Sequence, residues 1–116
     1  MNGVTTPASA AGDARPGRVR FGTGTTVKDF DDYHRWLRVG ERAGCFELLT
    51  TGDSQSLWAD PFVSLAVAAE RTVRPRLGIT VSNPMTRHPA VVASALVALQ
   101  RLSGGGIFYG DVYKRQ

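Results

Sequence analysis

Residues 76–110 read RLGITVSNPMTRHPAVVASALVALQRLSGGGIFYG, and their punctuation by proline and glycine sets out the architecture. Arg76–Val81 ends in the β-branched run Ile79, Thr80, Val81, and Asn83-Pro84 breaks it, which predicts a strand followed by a turn. Pro89 then opens the apolar run AVVASALVALQRL, and Ser103-Gly104-Gly105-Gly106 stops it, which predicts a helix over 89–102. Ile107-Phe-Tyr-Gly110 begins another strand. A strand, a helix and a strand cannot form a hairpin, because only a crossover of this length joins parallel neighbours.

Upstream the pattern recurs twice. Cys45-Phe-Glu-Leu-Leu-Thr-Thr51 is a short apolar run closed by Gly52-Asp53, predicting a strand over 46–51. Asp60-Pro61 pairs an N-cap residue with a proline at the first helical position, predicting a helix over 61–72. Arg18–Gly22 alternates polar and apolar residues and predicts a strand over 18–22 that stops at Gly22-Thr23-Gly24. Thr26 and Asp29 have capping-box spacing, and Phe30, Tyr33 and Leu37 share one face, predicting a helix over 27–43. Asp29, Asp31 and Asp32 sit in its first turn and Arg35, Arg38 and Arg42 toward its end, matching the dipole, with Gly44 placed as its terminating glycine. The order βαβαβα(β) predicts an α/β class, with parallel strands and helices on one side. Phe21, Leu49 and Val81, or their neighbours one place along, are the expected residues of the opposite face.

Composition excludes several classes of function. The chain has 116 residues, of which 42% are hydrophobic and 21% charged, enough for one small core. The net charge is +4, yet residues 21–110 hold nine cations against eight carboxylates, interleaved, so no basic stripe for nucleic acid is expected. No apolar run approaches the ~18 residues of a membrane span, and the first residues, MNGVTTPASAAGDARPG, do not read as a secretory signal, so a cytoplasmic location is the default expectation. Residues 1–17 read as a flexible lead. Cys45 is the single cysteine, so no internal disulfide or multi-cysteine zinc site is available; it reads as a small buried hydrophobe. His34 reads as a partly exposed helix residue and His88 as a helix-entry residue, and neither has ligand-spaced partners for a metal.

Two stretches, GDSQSLWADPFVSLAVAAERT (52–72) and RPRLGITVSNPMTRHPAVVASALVALQRLSGG (74–105), resemble the bacterial luciferase-like monooxygenase family of flavin- and deazaflavin-dependent oxidoreductases. The resemblance runs from about Val19 to Gly105. It implies the N-terminal portion of a (β/α)8 TIM barrel, about three βα units plus the start of a fourth strand over 18–110, since a complete barrel needs ~250 residues. Gly106 stands where the family usually has arginine, and Asp111-Val-Tyr-Lys-Arg-Gln116 matches nothing in it, so 111–116 reads as a foreign tail.

The chemistry implied is hydride transfer or oxygen activation at an FMN or deazaflavin ring, with a small-molecule substrate and a full-length parent free to form a homo-oligomer. The chain alone is expected to be inactive. Asp53 matches the aspartate of an Asp-His pair and is the catalytic candidate, although Ser54 replaces the histidine. Thr80-Val81 matches a non-prolyl cis peptide behind the ring, so Thr80, Val81 and Asn83 are the cofactor-binding candidates. Gly22, Thr23 and Gly24 would line the substrate side.

Plainer readings stand beside these. Asp53 fits a turn after a strand, Thr80, Val81 and Asn83 fit a core strand and its turn, and Trp58 fits packing as well as a pocket wall. Gly22-Thr-Gly24-Thr-Thr-Val27 also suggests the opening of a dinucleotide-binding fold, with Val27 where a third glycine would stand and Asp53 as the acidic residue.

Overall fold

The computed structural model describes residues 17–111. Strands and helices alternate: β1 (Phe21–Thr25), α1 (Phe30–Ala43), β2 (Phe46–Thr51), α2 (Pro61–Arg71), β3 (Arg76–Ser82), α3 (Pro89–Leu102) and β4 (Ile107–Asp111), with a single 3₁₀ turn at Pro84–Thr86. Of the expected lead over 1–17 and the expected tail over 111–116, residues 1–16 and 112–116 lie outside the described residues. β4 reaches Asp111, the first residue that the sequence reading assigns to the foreign tail.

The helix ends follow local chemistry. Asp60 caps α2 by accepting the amides of Phe62 (2.8 Å) and Val63 (3.1 Å), and His88 caps α3 through Nδ1, which accepts the Ala90 amide (3.2 Å). Gly44 ends α1 in the left-handed region at φ 68°, which a residue without Cβ adopts at little cost. The start of α1 differs from the capping-box expectation. Asp29 itself is the cap, accepting the Asp32 amide at 2.9 Å, because Val27 is buried in the core and its carbonyl accepts the Ala59 amide at 2.8 Å. Residues 27–29 are thereby withheld from the helix.

The four strands form one parallel sheet in the order β1-β2-β3-β4. Leu37 of α1, Leu65 and Ala68 of α2 and Leu99 of α3 join Leu49, Leu77 and Ile79 in one core cluster, so all three helices cover the same face. This order overturns the dinucleotide-binding reading. That fold places its first strand in the interior of the sheet and reverses direction beside it, whereas here β1 is an edge and each strand adds to the last.

Two further expectations are corrected. β1 starts three residues later than expected and runs through Gly22-Thr23-Gly24 instead of ending there. The reason is close approach: a Cβ on Gly22 would lie 3.1 Å from the Leu48 Cβ, and one on Gly24 only 2.6 Å from the Thr50 hydroxyl. The same contacts put Leu48 on the face away from the helices, while Leu49 faces α1, where it fills the space left by Gly40. Phe21 and Val81 are exposed. Cys45 is also exposed, not buried, because it precedes β2 at the end of the sheet, outside the helix-covered core.

Candidate functional site

The C-terminal ends of β1, β2 and β3 converge on an open pocket of about 620 Å³. β1 contributes Gly24 and Thr25, and Thr26 follows it; β2 contributes Thr50, with Gly52 and Asp53 just beyond; β3 contributes Thr80 and Val81. Trp58, on the loop before α2, closes one side, and a Cβ on Gly52 would lie 3.3 Å from its ring. The glycines make the room. The peptide bond between Thr80 and Val81 is cis, at the bond that the family resemblance implied, and the β3–β4 register skips between Ile79 and Ser82 around it.

Hydroxyls supply the polarity of this pocket. The Thr80 hydroxyl donates to that of Thr50 at 2.8 Å, joining neighbouring strands across the face away from the helices. Thr50 is itself buried. An uncharged hydroxyl pair and an indole in one lining offer a ligand both hydrogen bonds and an apolar wall.

Asp53 lines the pocket, yet its side chain is only 1% exposed. Its Oδ1 accepts from Gln55 at 2.6 Å, and its Oδ2 accepts from the Ser82 hydroxyl at 2.7 Å and from the Arg87 guanidinium at 2.7 Å. The second guanidinium nitrogen of Arg87 reaches Asp60 at 2.6 Å, and its carbon lies 4.9 Å from the centroid of the Phe62 ring. One arginine thus spans the loop after β2, the cap of α2 and the loop after β3. Burial alone would push the Asp60 carboxyl up, but Arg87 and the amides of Val63 and Phe62 together bring it below the usual carboxylate value. Burial likewise opposes the charge of Arg87, and its two carboxylates more than restore it.

The structure gathers Asp53, Thr80, Val81 and Gly24 at the pocket. Asn83 is not among its lining residues: its side-chain oxygen accepts the Met85 amide at 3.0 Å and caps the 3₁₀ turn. Gly22 lies deeper along β1 against Leu48, and Thr23 is not in the lining. Sequence reasoning missed Thr50 and the bridging role of Arg87, although Arg87 stood inside the stretch 74–105 that carries the family resemblance. Among the described residues no group of three or more His, Cys, Asp and Glu is placed to hold a metal ion, and no helix is long and apolar enough to cross a membrane.

The family model for luciferase-like monooxygenases matches residues 5–110. Limonene 1,2-monooxygenase from Rhodococcus erythropolis is 42% identical over 52 residues, 45% of this chain and 13% of that protein. Among solved structures, the coenzyme F420-dependent tetrahydromethanopterin reductase from Methanopyrus kandleri superposes with a TM-score of 0.71 at 29% identity, over 80% of this chain and 26% of the other. The monooxygenase RslO1 from Streptomyces bottropensis gives 0.70 at 28%, over 80% of this chain and 32% of the other. The FMN-bound oxygenating constituent of 3,6-diketocamphane monooxygenase from Pseudomonas putida, a type II Baeyer–Villiger enzyme, gives 0.68 at 16% over 84% of this chain, a likeness of fold alone. The chain spans less than a third of each of these proteins.

Proposed function

Because the chain belongs to the luciferase-like monooxygenase family, we propose that it forms part of a (β/α)8 oxidoreductase whose FMN or deazaflavin ring lies at the mouth built by the ends of β1, β2 and β3. The observation that carries the reading is the pocket at the C-terminal ends of β1, β2 and β3, which glycines keep open and Thr50, Thr80, Val81 and Trp58 line. A relative points the same way: the coenzyme F420-dependent reductase, at 29% identity. When bound, such a ring supplies hydride transfer or oxygen activation.

This chain's own residues do the rest. Gly24 and Gly52 leave space beside the sheet, since side chains there would meet Thr50 and Trp58. The Thr50–Thr80 pair offers hydrogen bonds to polar edges of the ring. Val81 and the indole of Trp58 form apolar walls that exclude water from the reacting face. Asn83, already occupied by its turn, contributes through the shape of the loop after β3.

The test is a protein extended from the encoding gene through the remaining barrel units, titrated with FMN, with F420 and with NAD. Saturable binding of FMN or F420 that weakens roughly tenfold or more in a Thr50→Val, Thr80→Val variant supports the reading. Binding of NAD alone overturns it. The 116-residue chain by itself binds neither ring tightly, because barrels of this kind hold phosphate in loops after strands 7–8.

A further inference from the structure

We infer that Arg87 is the positioning residue of the mouth. It holds the Trp58-bearing loop after β2 against the end of β3, and it occupies Asp53 as a counter-ion, so that Asp53 orients Ser82 and transfers no proton. The inference rests on the reading of this mouth as the functional site, and it assigns roles that the family likeness did not supply.

Three observations converge. First, both oxygens of Asp53 are engaged: Oδ1 by Gln55, and Oδ2 by Ser82 and Arg87 at 2.7 Å each. A group that exchanges protons with a substrate must reach it, and this side chain is almost wholly enclosed. Second, the guanidinium forks between two carboxylates on different segments, Asp53 after β2 and Asp60 at the start of α2, while its own backbone belongs to the loop after β3. Its planar, two-sided donor set suits that task, and a lysine's single ammonium cannot make both bonds in the same geometry. Third, the Phe62 ring backs the guanidinium at 4.9 Å, fixing its plane from the first turn of α2. The segment between the two carboxylates, residues 54–59, carries Trp58, and a smaller cavity of about 220 Å³ lies between that segment and Arg87. Loosening the fork therefore frees the indole wall while the core behind it stays packed.

The experiment uses the full chain with Trp36→Phe, leaving Trp58 as the sole indole, and compares Arg87→Lys, Arg87→Met and the double variant Arg87→Met with Asp53→Asn. Hydrogen exchange is followed over residues 50–60, 80–88 and 33–43, together with acrylamide quenching of Trp58. The expected result for Arg87→Met is exchange at least tenfold faster in the two loop segments than the accompanying loss of global stability accounts for, with 33–43 accelerated by that global loss alone, and clearly increased quenching. Arg87→Lys should fall between Arg87→Met and the parent. The double variant, which leaves no unpaired buried charge and so keeps the chain folded, should retain the loop exchange and quenching of Arg87→Met. Uniform acceleration of all three segments would overturn the inference by making Arg87 a general stabiliser. Unchanged quenching in the double variant would overturn it too. No readout involves a ring, so failure of the FMN and F420 titrations with these results intact would remove the functional reading and leave the fork standing.

Discussion

The two ends of the sheet carry the same kinds of ion pair in different settings. At the mouth, Arg87 is 17% exposed and its partner Asp53 1%. At the opposite end, Arg18 (66% exposed) meets Glu47 at 2.6 Å, Arg20 lies 3.5 Å from the same carboxylate, and Arg74 reaches Glu41 at 3.3 Å. Distance alone does not separate the two ends, and neither do shared hydrogen bonds, since Glu41 also accepts the Val73 and Arg74 amides; burial does. A solvated pair exchanges one good environment for another, whereas breaking an enclosed pair leaves a charge with nothing to replace the lost partner.

The buried fork at Arg87 carries the highest cost. Arg87→Met should destabilise the chain by about 3 kcal/mol, because the Asp53 carboxylate stays enclosed without its cation. Urea unfolding measures this, and adding Asp53→Asn should recover part of the loss. A cost below about 1 kcal/mol would place the mouth pair in the same class as the exposed pairs.

A smaller effect is expected at the glycines of the face away from the helices. Gly24→Ala puts a methyl group 2.6 Å from the Thr50 hydroxyl, which must rotate and give up its bond to Thr80, at a cost of about 1–2 kcal/mol. Gly22→Ala, toward the other end of β1, meets the Leu48 Cβ at 3.1 Å, and a slight movement relieves it for less than about 1 kcal/mol. Thermal melts of the two variants rank the positions, and an equal loss would show that the hydroxyl pair adds nothing at the mouth.

Acid sharpens the contrast in another way. The Asp60 carboxyl titrates below its ordinary value of 3.8 in the folded chain, with Arg87 and the α2 amides outweighing burial. Its contribution is thus fully present above that ordinary value and is lost as pH falls through the lower folded value. Denaturant midpoints measured from about pH 6 down to about pH 2 should decline over that acid range in the parent, and Asp60→Asn should flatten part of the decline. An unchanged acid limb would remove Asp60 from the balance.

How much of this was legible in the sequence depended on how far apart the interacting residues lie. Asp60-Pro61, Gly44 and Pro89 mark helix ends through contacts within three or four residues, and those boundaries are where the sequence puts them. The start of α1 was misplaced because Val27 answers to Ala59, thirty-two positions away, and not to its neighbours. The Gly22-Thr-Gly24 segment looked like a turn because glycine usually marks one; here it stays in the strand, and its missing side chains make room for Leu48 and Thr50. The pocket followed the same rule. Thr80 and Val81 came from the family resemblance, but the Thr50–Thr80 and Asp53–Arg87 pairs join residues 30 and 34 apart, and no local spacing encodes them.

At the exposed end little is lost. Arg18→Ala removes a contact to Glu47 that is as short, at 2.6 Å, as the bond from Arg87 to Asp60. Arg18 lies in solvent, however, so water can replace what the substitution removes, and Arg20 remains beside the same carboxylate. The expected loss is under about 0.5 kcal/mol. In about 1 M salt, where screening acts within a few ångströms, the difference between parent and variant should vanish. The loss from Arg87→Met should persist in the same salt, because ions do not enter the enclosed site around Asp53. Denaturation of both variants at low and high salt is the measurement, and a salt-resistant loss of more than about 1 kcal/mol at Arg18 would show that the two ends are held alike.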